Sequence, residues 1–466
     1  MIYDVLNTSN DSRPIHFVGI AGAGMSALAE LFARRGIPVT GCDSNPAGAA
    51  ADLVRLGIPV AQGHSPEHVA GARAVVFTSA MNRDHPELVA ARKAGIPLIR
   101  RAEALGAAVA SGDVVGIAGT HGKTTTTVMT TNALRAAGLE PTGIAGGRVA
   151  EWDGNMTFGS DRLFVVEADE YDRSFLALDP AVAVVTNVEA DHLDVYADLE
   201  DIRATFAQYL RGARAIVLCA DDVGADSLEL PPTAEIIRYG VSSPDARLVA
   251  SDVRAEGGGS IFTISYDGER KAEVRLKVPG VHNVRNALAA IGAGLALGVE
   301  VDRMVPGLEA FGGVERRFQR IAEVGGISII DDYAHHPTEI AATIEAARAA
   351  FPGRRLVLAF QPHLYSRTRD FASEFGRALA GGDVVFLTEL YPAREKPIEG
   401  VDSGLVQRAI IAAGGSMRWR GERAALASAL AGELRAGDVV ITVGAGDITR
   451  SARELRDILT DSTRTN

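Results

Sequence analysis

The run DVVGIA passes directly into GTHGKTTTT, and that into the helical pattern TTTTVMTTNALRAAG. A buried strand that turns through glycines into the N-terminus of a helix belongs to α/β sheets, so this one stretch already excludes all-α and all-β architectures. Gly119 and Gly122 let backbone N–H groups turn inward on phosphate oxygens, and the helix start adds about half a positive charge. Lys123 is placed to bridge β- and γ-phosphates, and the Thr124 hydroxyl to hold Mg²⁺. The strict pattern asks for glycine at position 117, where the chain has Ile117, so this is a variant loop, G-T-x-G-K-T-T. Its ligand is expected to be ATP, with Thr120, His121 and Thr125 completing the phosphate-facing segment.

Metal ligands for such a loop should stand at the carboxyl ends of neighbouring strands, where open α/β sheets bind their ligands. Two apolar runs end this way: FVVEADEYD offers Glu167, Asp169 and Glu170, and VVTNVEADHLD offers Glu189, Asp191 and His192.

The rest of the chain repeats a strand–helix rhythm. From Pro14 the runs IHFVGI, PVTGCD, ARAVVFTSA and PLIRR alternate with Ala-rich helical stretches, which predicts a parallel sheet with right-handed crossovers. A second unit opens at DVVGIA and carries FVVEAD, AVAVVTNVEAD and RAIVLCAD, then changes to alternating strands between Ala246 and Lys277. Asp267-Gly268 there is a two-residue hairpin signal, so a small antiparallel flap is expected. A third unit begins near Arg317 with ISIIDDY, RRLVLAFQPH, DVVFLTELY and DVVITVGAGD. The expected fold class is α/β, with three consecutive domains over 1–108, 109–315 and 316–466.

Composition narrows the partners. A 47% hydrophobic share with 23% charged residues is that of a core-forming protein. The net charge of −12 argues against a surface that condenses on nucleic acid or anionic lipid. The longest apolar stretch, ALAAIGAGLALGV, falls short of the ~20 residues a membrane span needs, and the N-terminus lacks a signal-like apolar core. A cytoplasmic location is therefore expected, with no membrane or nucleic-acid partner. Cys42 and Cys219 read as buried, reduced thiols.

The phrase GIAG occurs three times, at Gly19–Gly22, Gly116–Gly119 and Gly143–Gly146. The first continues as Gly22-Ala23-Gly24-Met25-Ser26-Ala27, which satisfies G-x-G-x-x-[GA] after a strand, and Asp43 follows about 20 residues on, as a ribose-binding acid would. Alone, that would suggest a dehydrogenase, but an NAD enzyme does not explain a second, lysine-bearing loop flanked by acidic strand ends. The third phrase precedes Gly147 and Arg148 and reads mainly as strand and turn.

Taken in order, HFVGIAGAGMSALAE, TSAM, GIAGTHGKTTTT, FVVEADEYD, NVEADHLD, PGVHNVRNALAA, FGGVERRFQ, IIDDYAHHPTEI, FQPHLYSRTRDF and VGAGDI resemble the Mur ligases of peptidoglycan synthesis, over nearly the whole chain. The resemblance is greatest to the branch that adds L-alanine. It implies a Rossmann-like UDP-binding domain, a central P-loop domain that binds ATP, and a Rossmann-like C-terminal domain. It also implies an amide ligase in which the lactyl carboxylate of UDP-N-acetylmuramic acid takes the γ-phosphate to form an acyl phosphate. L-Alanine then displaces inorganic phosphate.

By the same resemblance, Thr124, Glu167 and His192 hold two Mg²⁺ ions, Lys123 neutralises developing charge, and His121 contacts the sugar substrate or acyl phosphate. His282 and Asn286 lie by the adenine, Arg317 reaches the ATP phosphates, and Asp332 and Tyr333 face the nucleotide. Gly22, Ala23, Gly24, Met25 and Ser26 lie over the UDP diphosphate, with Asp43 and Arg148 as further contacts. His335, His336, Arg367 and Arg369 serve the amino acid, and the enzyme is expected to work as a monomer or homodimer. No Cys or carboxylate at tight ligand spacing completes a metal site at His335 and His336.

Two departures stand out. Relatives that add later amino acids use a carbamylated lysine soon after the DH motif, and here no lysine occurs between Lys123 and Lys271. Some alanine-adding members have arginine where this chain has Leu364, which leaves Arg367, ahead of Arg369, to clamp the α-carboxylate. A murein-recycling ligase that adds a whole tripeptide to the same sugar is the nearer alternative.

Overall fold

The computed structural model describes residues 2–8, 11–46, 49–78, 81–393 and 395–465, with side chains left undescribed at 49 and 463–465. Ser79 and Ala80 of the TSAM motif lie outside the described residues. The chain forms two compact units: residues 1–252, 262–274 and 285–311 make the first, and 253–261, 275–284 and 312–466 the second.

The first unit contains a five-stranded sheet and most of a ten-stranded one. The N-terminal one joins β1 (Ile15–Val18), β2 (Val39–Asp43), β3 (Val60–Gln62), β4 (Ala74–Phe77) and β5 (Leu98–Arg100) in the order β3-β2-β1-β4-β5. The pairings are parallel, as the strand–helix rhythm predicts. The order reverses at β1, and the carboxyl end of that strand is where such a sheet opens a ligand crevice. β3 is only three residues long and half-buried, which is why it carries no clear sequence signal.

The second sheet has ten strands: β6 (Asp113–Ala118), β7 (Thr142–Val149), β8 (Gly154–Thr157), β9 (Leu163–Glu167), β10 (Val182–Val185), β11 (Ala215–Cys219), β12 (Glu235–Gly240), β13 (Leu248–Glu256), β14 (Gly259–Tyr266) and β15 (Glu269–Leu276). Their order is β15-β14-β13-β12-β11-β10-β6-β9-β7-β8. The loop-bearing strand β6 therefore has β10 on one side and β9 on the other, both parallel to it. The expected flap is a continuation of this sheet, not a separate layer. Asp267 (φ 52°) and Gly268 (φ 79°) make the predicted tight turn, and Arg247 holds the Asp267 carboxylate at 2.7 and 2.8 Å.

The two sheets share one apolar core. The helix Ala23–Arg34 buries Leu28, Leu31 and Phe32 in a cluster that also contains Ile144, Met156 and Phe164 of the second sheet. At about 1.5–3 kcal/mol for each large side chain removed from water, this contact helps hold the two sheets together.

The helix Lys123–Ala136 begins with a threonine run that helix propensity disfavours. Burial explains it: Thr126, Thr127, Thr130 and Thr131 are fully buried. Thr127 and Thr131 donate to carbonyls four residues back at 2.9 and 2.8 Å, so those hydroxyls are not stranded.

The second unit carries β16 (Gln319–Val324), β17 (Ile327–Asp332), β18 (Leu356–Phe360), β19 (Val384–Thr388), β20 (Met417–Gly421) and β21 (Val439–Val443) in the order β16-β17-β21-β18-β19-β20. Only β16, paired with β17, is antiparallel. The four inner strands are fully buried and mostly apolar, although β17 also buries Ser328, Asp331 and Asp332. No described helix is long and apolar enough to cross a membrane.

Candidate active site

The phosphate loop leaves β6 at Ala118. Gly119 adopts φ 134°, and a Cβ there would stand 2.0 Å from Thr186 Oγ1, so glycine is required. Gly122 caps the following helix in the left-handed region at φ 81°. The loop is tied to the segment after β10: Thr120 N–H donates to the Asn187 carbonyl at 3.0 Å, and His121 N–H to Asn187 Oδ1 at 2.7 Å. Thr186 Oγ1 donates to the His121 carbonyl at 2.6 Å, and Glu189 N–H to Thr120 Oγ1 at 2.9 Å. Sequence reasoning passed over Asn187, whose only signal was its place in NVEADHLD.

Lys123 folds back onto this loop. Its ammonium donates to the carbonyls of Gly119 and Thr120 at 2.6 and 3.0 Å and pairs with Glu170 at 2.8 Å. Burial alone would lower its pKa, but Glu170 and Asp169 outweigh that and hold the lysine protonated. Burial pushes the Glu170 carboxyl up to about 7, with Asp169 adding to the rise and Lys123 opposing it. His192 lies beside the same carboxylate, its Nε2 3.7 Å from Glu170 Oε1, in a strained left-handed backbone at φ 53°. His121 Nε2 stands 3.5 Å from Glu189 Oε2.

Glu167, the last residue of β9, pairs in register with Ile117 of β6, and so stands at the mouth of the loop. Gly146 N–H donates to Glu167 Oε2 at 2.6 Å, and a Cβ at Gly146 would collide with that carboxylate at 2.4 Å. The third GIAG phrase thus does more than turn the chain: its final glycine cradles a candidate metal ligand. Thr124 and Thr125 are nearly buried in the first helical turn. Asn286 is buried on the helix Val281–Ala296 and accepts the Thr126 hydroxyl at 3.2 Å. His282 lies one turn earlier on that helix.

At the first sheet, Gly19 adopts φ 77° and Gly22 caps the helix Ala23–Arg34. Asp43 accepts the N–H groups of Ala21 and Asn45 at 3.0 and 2.9 Å, so it shapes the loop. Met25 is buried, and the Ser26 hydroxyl donates to the Ala23 carbonyl at 3.0 Å. Thus Gly22, Ala23 and Gly24 form the loop's open part. Arg101 lies against Gly24, its Nη1 2.9 Å from where a Cβ would be. That cation was missed, although PLIRR places it just beyond the carboxyl end of β5. Arg148 pairs with Asp52 and with Asp153 at 2.6 Å, bracing β7 against the helix Ala49–Arg55.

In the second unit, Asp332 closes β17 and accepts the N–H groups of Ala334 and Phe318 at 2.7 and 2.8 Å. Burial raises it to about 6 against the pull of Arg317. Arg317 pairs with Glu339 at 3.2 Å and lies over the Tyr333 ring. Glu339 also accepts the N–H of His335 at 2.9 Å and of His336 at 3.3 Å, and the His-Pro-Thr-Glu spacing of a capping box was its sequence signal. Arg367 is buried at 5% exposure, whereas Arg369 is exposed and paired with Asp370. Leu364 caps the helix Tyr365–Leu379 at φ 70°.

Residues 14–112 match the Mur ligase family, catalytic domain; residues 117–294 the Mur ligase middle domain; and residues 316–446 the Mur ligase, glutamate ligase domain. The chain is 43% identical to the UDP-N-acetylmuramate–L-alanine ligase of Salinibacter ruber, covering 96% of this chain and 95% of that one. It is 44% identical to the ligase of the same name from Acidothermus cellulolyticus, covering 92% and 91%. The crystal structure of the UDP-N-acetylmuramate-alanine ligase of Thermotoga maritima superposes with a TM-score of 0.82 at 30% identity, covering 96% of this chain and 99% of that one. A murein peptide ligase from Psychrobacter arcticus gives 0.70 at 26% identity, covering 96% and 99%. Strand order, phosphate loop, acidic strand ends and full-length similarity lead to one conclusion: the chain belongs to the Mur ligase family.

Proposed function

We infer that the chain joins L-alanine to the lactyl carboxylate of UDP-N-acetylmuramate at the expense of ATP, giving UDP-N-acetylmuramoyl-L-alanine, ADP and phosphate. The observation that carries this reading is the gathering of Lys123, Glu167, Glu170 and His192 at the carboxyl ends of β6, β9 and β10. A carboxylate must attack a polyphosphate there, so bringing two anions together is the main barrier.

The donor set fits Mg²⁺: Glu167 and Thr124 offer hard oxygens, His192 an imidazole for a second ion, and Gly146 leaves the Glu167 carboxylate its space. When bound, Mg²⁺ supplies charge screening between the two anions. Lys123 exchanges its loop carbonyls and Glu170 for the β/γ-phosphates. The N–H groups at the start of the helix Lys123–Ala136 hold the phosphates, while Asn187, which takes the N–H groups of Thr120 and His121, and Thr186 fix the loop's shape. Once the acyl phosphate has formed with departure of ADP, the alanine nitrogen attacks its carbonyl carbon and phosphate leaves. Gly22 to Gly24, with Arg101 beside them, take the UDP diphosphate. In the second unit, Arg367 receives the amino-acid carboxylate.

A phosphate-release assay with a panel of amino acids and the murein tripeptide tests the reading. Free L-alanine should support release and the tripeptide should not; the reverse result would assign the chain to tripeptide recycling. In the same assay, Arg367→Ala should raise the KM for alanine by about 10–100-fold, the worth of a charge-assisted hydrogen bond. Arg369→Ala should change it by less than about threefold, because an exposed ion pair is worth little. Equal effects would reject that ranking. Gly146→Ala should raise the Mg²⁺ concentration for half-maximal activity by about tenfold or more, the usual cost of disturbing a ligand's support. An unchanged Mg²⁺ dependence in this variant would mean that Glu167 does not hold the metal.

A further inference from the structure

The first sheet buries a polar cluster on the face away from the shared core, amid Val18, Val75 and Leu88. Glu87, in the first turn of the helix Pro86–Lys93, is fully buried. It accepts the Cys42 thiol at 3.1 Å on both oxygens and the Ser65 N–H at 3.1 Å, and it faces Nδ1 of His68 at 2.8 Å and of His64 at 3.3 Å. His64 Nδ1 is also 3.3 Å from Cys42 Sγ, and His85 Nδ1 is 3.9 Å from Glu87.

His16, on β1, is 2% exposed. Its Nδ1 meets Thr40 Oγ1 at 3.0 Å, and its Nε2 is buried with no hydrogen-bond partner. A buried ring nitrogen left unpaired costs free energy that a valine at this position would avoid. One ligand atom from each of His16, Cys42, His68 and Glu87 lies within 4.8 Å of all the others.

We propose that His16, Cys42, His68 and Glu87 form a structural zinc site in the N-terminal domain, separate from the magnesium chemistry of the phosphate loop. Zinc bonds of about 2.0–2.3 Å in a tetrahedron set ligand atoms about 3.3–3.6 Å apart, within the span now observed. A mixed imidazole, thiolate and carboxylate set suits a borderline-soft ion and is a poor one for Mg²⁺. The Thr40 contact on Nδ1 leaves Nε2 as the ligating nitrogen of His16, the usual support for a metal-bound histidine.

The Cys42 thiol S–H donates to the Glu87 carboxylate. Binding therefore replaces the S–H bond by an S–Zn bond and releases one proton to solvent. The site connects to the substrate loop, because the Cys42 carbonyl accepts the N–H groups of Gly19 and Ile20 at 2.9 and 3.0 Å. Metal at Cys42 pins the strand end that shapes the glycine turn.

Cobalt(II) serves as the spectroscopic probe. The reduced full-length chain, stripped with chelator and kept in excess Mg²⁺, is titrated with CoCl₂ and then ZnCl₂. One equivalent of cobalt should produce the thiolate-to-metal charge-transfer band and the strong visible bands of a tetrahedral site, and zinc should abolish both. Cys42→Ser should lose the charge-transfer band and Cys219→Ser keep it, while His68→Gln, altering a partly exposed ligand, should weaken binding at least tenfold. Absence of the band in the wild type, its survival in Cys42→Ser, or unchanged affinity in His68→Gln would overturn the proposal.

Discussion

Lys123→Ala should lower ATP-dependent phosphate release by about a thousandfold or more, since in the proposed reaction this lysine is the charge brought to the transferring phosphoryl group. The structure adds a second effect. Lys123 is the cation against buried Glu170, 2.8 Å away, and removing one partner of a buried pair costs about 3–5 kcal/mol unless the other neutralises. Glu170 already sits near 7, so it can take up a proton and shed part of that cost. Thermal unfolding and turnover should therefore separate in the double variant Lys123→Ala/Glu170→Gln, which recovers melting temperature but not activity. Activity within tenfold of wild type in Lys123→Ala would remove the lysine from the chemistry.

Gly119→Ala should weaken ATP binding by about a hundredfold or more, measured by calorimetry. The backbone at φ 134° is nearly closed to any residue with a Cβ, at a cost of about 1–3 kcal/mol. The added methyl would also meet Thr186 Oγ1 at 2.0 Å and Thr186 N at 3.0 Å. Pushing Thr186 away breaks its bond to the His121 carbonyl, so the loop loses the shape that aims its N–H groups. Thr186→Ala combined with Gly119→Ala should recover only part of the affinity, because the clash is relieved while the backbone strain remains. Near-normal ATP affinity in the single variant would show that the loop tolerates a different path.

The boundaries of legibility follow from how far apart the interacting residues are. The phosphate loop could be read because its glycines, lysine and threonine are consecutive, and each acts through its own backbone or side-chain geometry. Inner strands such as β10, β11, β18 and β21 could be read because burial on both faces demands apolar runs. The edge strands β3, β16 and β20 could not, since each is short or half-exposed, and β12, though it lies between β11 and β13, is only partly buried and lacks such a run.

The sequence by itself determined the α/β class, the glycine–lysine turn between a buried strand and a helix, and the acidic strand ends. Only the tertiary structure decided that β9 and β10 flank β6, that Glu170 holds Lys123, that Gly146 makes room for Glu167, and that Glu87 gathers Cys42 with histidines from two other segments. Backbone conformation and burial are encoded by residues close in sequence. These juxtapositions depend on strand order, which is set by the packing of whole elements against one another.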